Sequence, residues 1–101
     1  MNEKIIKFTK GPGNKKYTAH VKNKKTKKIR KIHFGDKNYQ QYRDSTPLKL
    51  YTYKNHGDRK RMANYYKRHS GTRKKRDAIK KEKNVNDGYY SAKILSHIYL
   101  W

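Results

Sequence analysis

Along residues 4–34 apolar and polar side chains alternate: Tyr17, Ala19 and Val21 share one parity, and Ile6 and Phe8 share another run. A period of two belongs to a strand, whose successive side chains point to opposite faces. IIKFT, KYTAHVK and KIRKIHF therefore predict a three-stranded antiparallel meander with one apolar face per strand. Gly-Pro-Gly-Asn at 11–14 supplies the first turn and Asn-Lys-Lys-Thr at 23–26 the second. Ile29 falls out of phase with Ile32 and Phe34, which predicts a bulged or shortened third strand.

Residues 35–56 show no sustained period, and Pro47 breaks any helix there. They read as a long tyrosine-rich connection with one helical turn about 37–43 and an extended piece at 49–53. A helix is predicted over 58–69. Gly57 or Asp58 opens it, Met62, Tyr65, Tyr66 and His69 recur at helical spacing, and Gly71 stands where a left-handed cap belongs. Residues 72–84 hold too few apolar side chains to choose between a helix and a solvated linker. At the C-terminus Ile94, Leu95, Ile98 and Trp101 form an amphipathic stripe behind a Ser91 cap, which predicts a short helix docked on the sheet or on a neighbouring protein. The fold class is α+β: a small meander, a long connection and two short helices. The parts divide as 1–34 meander, 35–56 connection, 57–71 helix, 72–88 basic linker or helix, and 89–101 amphipathic helix, all in a single small basic domain.

Charge changes this picture most. The chain has 101 residues, with 29 Lys and Arg against 7 Asp and Glu, a net charge of +22. Residues 1–34 hold 12 basic and 1 acidic residue, 35–56 hold 4 and 2, 57–84 hold 12 and 3, and 85–101 hold 1 and 1. Two cationic blocks thus flank a nearly neutral centre. Self-repulsion on this scale opposes compaction, so order is expected when acidic groups lie close by. The candidate anion- or partner-binding residues are Lys22, Lys24, Lys25, Lys27, Lys28, Arg30 and Lys31 in the first block. In the second they are Arg59, Lys60, Arg61, Arg73, Lys74, Lys75, Arg76, Lys80 and Lys81. The candidate apolar interface is Ile94, Leu95, Ile98 and Trp101.

There is no cysteine, which removes disulfides and thiolate chemistry together. No apolar run approaches the roughly 20 residues of a membrane span, and the opening Met1–Lys4 predicts neither a signal peptide nor myristoylation. The seven carboxylates are scattered, and the histidines at 20, 33, 56, 69 and 97 lack zinc-ligand spacing. No catalytic residue, metal or cofactor is therefore expected, although His56 with Asp58 faintly resembles a nuclease pair. GPGN precedes a strand rather than a helix, so it reads as a hairpin turn and not as a phosphate loop. The ten tyrosines suit a thin core and interfaces better than base stacking.

HFGDKNYQQYRD, HGDRKRMANYYKRH and YYSAKILSHIYLW together resemble a family of short, basic, uncharacterised proteins of giant nucleocytoplasmic large DNA viruses. The resembling positions are Phe34-Gly35-Asp36, His56-Gly57-Asp58-Arg59-Lys60-Arg61, Arg68-His69 and Leu100-Trp101, and the match covers about two thirds of the chain. Ile94 and Leu95 depart from the bulky aromatics of relatives, and 72–84 looks like an insertion. The resemblance implies a minor capsid protein on the inner side of the virion shell, made in the host cytoplasm and cementing major and other minor capsid proteins. On this view the chain is ordered only within the assembly. The charge alone would also suit nucleic acid or acidic lipid head groups. The alternative function is accordingly a sequence-independent nucleic-acid binder, DNA-condensing or ribosomal in type.

Overall fold

A computed structural model describes residues 1–101 as an α+β fold. Three antiparallel strands, β1 (Glu3–Lys10), β2 (Lys15–Asn23) and β3 (Ile29–Asp36), lie in the order β1-β2-β3. Helices α1 (Arg59–Ser70), α2 (Lys75–Val85) and α3 (Ala92–Tyr99) follow a connection whose only regular piece is a single 3-10 turn, Thr52–Lys54. The segment that could have been linker or helix is thus helix α2.

The meander forms as the alternation predicts, with one change of phase. β3 pairs with β2 in unbroken register from Lys22↔Ile29 to Lys15↔Asp36, so the expected irregularity at Ile29 is absent. The bulge is in β1 instead, between Ile5 and Lys7. Its consequence is that Ile5 and Phe8, three residues apart, pack on the same core, while Ile6 is exposed. An inserted residue reverses the parity of everything after it. The inner face is then Ile5, Phe8, Tyr17, Ala19, Val21, Ile32 and Phe34, covered by Tyr51, Leu95 and Leu100.

Two local expectations in the connection are corrected. The segment about 37–43 is a tight turn followed by a single bridge, Gln41↔Asn55, rather than a helical turn, and 49–53 runs into the 3-10 turn rather than an extended piece. Both segments take their shape from buried side chains. Asp44 accepts bonds from the Tyr17 hydroxyl, Tyr51 N–H, Thr46 N–H and the Thr46 hydroxyl. Gln41 accepts from the Lys16 ammonium and donates to Tyr51 O and Asn55 Oδ1.

Local capping sets the helix ends. Asp58 accepts from the Lys60 and Arg61 amides, Gly71 closes α1 at φ +71°, and Ser91 accepts from Ile94 N–H at the start of α3. Tyr65 and Tyr66 of α1 reach α3. The Tyr66 hydroxyl donates to His97 O at 2.7 Å, and the Tyr65 hydroxyl lies 3.0 Å from His97 Nδ1. Trp101 packs against both the sheet core and the smaller cluster of Tyr65, Tyr66 and Ala78.

Candidate functional site: cationic surfaces and a basic cleft

The first cationic block builds the second hairpin and one open face of the sheet. Asn23 Oδ1 caps the turn by accepting from Lys25 and Thr26 N–H. Behind the tip, the face opposite the core carries the cross-strand rows Lys4–Lys22–Ile29, Lys7–His20–Lys31 and Thr9–Thr18–His33. It bears no carboxylate. Both imidazoles are held by hydroxyls, His20 Nε2 3.0 Å from Thr9 and His33 Nδ1 2.7 Å from Thr18. Burial, then Lys7 and Lys31, push the His20 pKa down.

Most of the predicted basic residues are free on the surface: Lys24, Lys25, Lys27, Lys28, Lys31, Arg59, Lys60, Arg73, Lys74 and Lys80 are exposed, with Lys22 and Lys75 half-buried. Four are engaged within the fold, among them the exposed Arg61, which donates to Gln40 Oε1, and Arg76, 3.8 Å from the neighbouring Asp77 carboxylate. Arg30 donates twice to the buried Glu3 carboxylate, at 2.7 and 2.9 Å, and to Tyr90 O at 2.6 Å. Lys81 donates to Ser70 O. Arg30 is therefore a structural staple rather than a free anion contact. The two blocks adjoin: Asn2 O accepts from Lys24 N–H, and Asn2 N–H donates to Gly88 O just beyond α2.

The expected apolar interface is corrected as well. Ile94 and Leu95 are wholly buried within the chain, because α3 lays its stripe on its own sheet and helices, and Ile98 and Trp101 are half-buried. No apolar stripe is left over on α3 for a partner.

His56 and Asp58 are each engaged in the entry to α1. The Asp58 carboxylate caps the helix and the Asp58 N–H donates to His56 Nδ1 at 2.9 Å. His56 Nε2 is enclosed without a hydrogen-bond partner, and its ring lies 5.1 Å from that of Trp101. A second array, Ser70–His97–Glu82, has the residue types of a hydrolase triad but another order. His97 Nε2 meets Ser70 Oγ at 2.8 Å, Ser70 Oγ donates to Glu82, and Tyr65 occupies His97 Nδ1. All four side chains are buried, so the hydroxyl is closed to a substrate. Burial drives the His97 pKa down to about 4, with Lys93 and Lys75 adding to the shift. No three His or carboxylate groups converge as a metal site would require.

Between the ends of β2 and β3, α1 and α3 lies a cleft of about 670 Å³. On α1, Arg61, Tyr65 and Arg68 fall at i, i+4 and i+7, one face of the helix. α3 contributes Lys93 and Ser96, and β2 contributes Lys15 and Lys16. Five Lys and Arg line it against one acid, Asp36. The floor is Phe34, Leu100, Tyr65 and Trp101. Lys16 is enclosed, donating to Tyr39 O and Gln41 Oε1, and burial with the nearby Lys54 pushes its pKa down to about 8. Arg61 and Trp101 were among the sequence candidates; Lys15, Arg68 and Lys93 were not. The spacing of Arg61 and Arg68 on α1 was a readable signal, whereas nothing local links Lys15 or Lys93 to them.

Comparison with protein-family models, with curated proteins and with solved structures finds no match. No helix is long and apolar enough to cross a membrane.

Proposed function

We propose that this chain is a structural, non-enzymatic virion component, a minor capsid protein that lies inside the major capsid shell and binds acidic faces of its capsid neighbours. The observation that carries the reading is a convergence. The segments that resemble the viral family, distant in sequence, meet at one place: Gly35 abuts Leu100, the His56 ring packs by Trp101, and Trp101 stacks on Tyr65 at 4.3 Å and 5°. The motif thus corresponds to one built junction, framed by cations, instead of scattered coincidences. With α3's stripe folded inward, the remaining surface is overwhelmingly positive, and a neighbour that fits it is acidic. The test is where the protein resides. Reconstruction or mass spectrometry of purified particles should find it in the capsid layer; presence only in infected cells and never in particles overturns the proposal.

The second reading, a sequence-independent nucleic-acid binder, is favoured by the open sheet face, where Lys4, Lys7, Lys22 and Lys31 stand with two histidines and no acid. Each lysine placed on a phosphate releases a counterion, so log affinity for duplex DNA should fall steeply with log salt. A shallow slope excludes this reading.

A further inference from the structure

We propose that the basic cleft between α1, α3 and the ends of β2 and β3 is a docking site for an acidic peptide segment carrying an apolar side chain. This rests on the reading of the chain as a binder of acidic protein surfaces and names the form such a surface takes. The cleft size lies within the range of ligand pockets, and its chemistry is divided: Lys15, Arg61 and Arg68 are exposed around it, Lys16 is enclosed, Lys93 is 3.6 Å from Glu82, and apolar groups form the floor. Lys15 and Arg68 are exposed and take part in no ion pair of the fold. Arg61 donates to a neutral partner, Gln40 Oε1, so it keeps its charge unpaired. Guanidinium groups of this kind take carboxylates in a forked, two-bond geometry.

The floor decides between a peptide and a nucleic-acid base. A base requires a free aromatic face to stack on. On the floor the faces are already used: Tyr65 lies against Trp101 at 4.3 Å and His69 at 4.5 Å, and Trp101 also meets His56, which leaves the exposed Tyr39 as the one lining ring that pairs with no other. Phe34 and Leu100 close the base from within the core, and the apolar surface left open above them is that of Trp101 and Ala92, suited to a leucine or similar side chain. Carboxylates on either side of that side chain would reach Arg61, Arg68 and Lys15.

Trp101 is the only tryptophan and lines the cleft, so its fluorescence reports occupancy directly. The probe is a short peptide of glutamates around a central leucine, titrated into the full chain at about 0.15 M salt. The expected result is a saturable change in Trp101 emission. Binding should weaken about tenfold or more in Lys15→Glu/Arg68→Glu and when the peptide leucine is replaced by glycine, but little in Arg76→Ala/Lys80→Ala on α2. Far-UV circular dichroism verifies that each variant is folded, and a single Arg68→Ala is the milder substitute if the double variant is not. If the cleft variants bind the peptide as tightly as the unaltered chain, the cleft assignment is overturned while acidic binding elsewhere stands. If no acidic peptide binds, the proposed function fails with it. An oligothymidylate of matched charge that shifts Trp101 with equal or greater affinity overturns the peptide in favour of single-stranded nucleic acid.

Discussion

The Tyr17 hydroxyl donates to the buried Asp44 carboxylate at 2.5 Å, joining the centre of the sheet to the connection that follows it. The same hydroxyl accepts from Leu50 N–H at 2.8 Å, and burial together with the Asp44 bond pushes the Tyr17 pKa up to about 12. Removing Asp44 leaves the hydroxyl of Tyr17 and the amides of Thr46 and Tyr51 without an acceptor. Asp44→Ala should cost about 3 kcal/mol or more, and Tyr17→Phe about 1–3 kcal/mol, since unpaired buried polar groups carry the full desolvation penalty. Chemical denaturation midpoints measure both. Equal stability of Asp44→Ala and the unaltered chain would show that the connection is held by something else.

Gly35 has φ +77°, and a Cβ there would sit 2.9 Å from Leu100 Cδ1 and 3.1 Å from Lys16 Cβ. Both the backbone region and the contact favour glycine. Gly35→Ala is expected to destabilise by about 2 kcal/mol and to alter Trp101 fluorescence, because Leu100 must move. An unchanged emission spectrum and melting curve would argue against this close approach.

Glu3 binds Arg30 and accepts from Tyr90 N–H, tying the segment between α2 and α3 to the sheet edge. The Arg30 hydrogen bonds hold the Glu3 carboxyl below its usual range, despite burial. Its stabilising contribution is thus present above the ordinary glutamate pKa and is lost as pH falls through the lower folded value. Glu3→Gln should cost about 2 kcal/mol and speed amide exchange at Tyr90, read by hydrogen–deuterium exchange. Protection of Tyr90 that survives the substitution counts against the staple.

His97 works in the same pH direction over a higher range. It titrates near 6.5 when unfolded and about 4 when folded, so between these values the unfolded chain binds more protons. Stability should be full above pH 6.5 and fall toward pH 4, by up to about 3 kcal/mol. Thermal midpoints across that interval measure the loss, and His97→Gln should flatten the profile. A profile of the same shape in His97→Gln would assign the loss to other groups.

Net charge of +22 predicts that salt stabilises the monomer by screening self-repulsion. The thermal midpoint should rise from low to moderate sodium chloride, and rise further with polyglutamate. A midpoint that falls with salt would place net attraction, rather than repulsion, among the surface charges.

The features readable from the sequence are those with local causes. Alternation across Tyr17, Ala19 and Val21 requires a strand, Asp58 and Gly71 bound α1, and Ser91 opens α3, each through bonds made within a few residues. The bulge at β1 was misplaced because Ile5 and Ile6 are chemically alike, and only the packing of Ile5 and Phe8 on one core distinguishes them. The connection was misread in detail because its shape comes from Asp44 and Gln41, whose partners lie on β2 and in the connection itself.

By itself, then, the sequence determined an α+β chain with a three-stranded meander, capped helices and a large cationic excess, since period, caps and charge are properties of neighbouring residues. Tertiary structure alone decided which cations stay free, that Arg30 is paired with Glu3, that Ile94 and Leu95 face inward, and that Lys15, Arg61, Arg68 and Lys93 frame one cleft. The physical reason is distance along the chain: these groups come from β2, α1 and α3, and only the packing of the helices on the sheet brings them together.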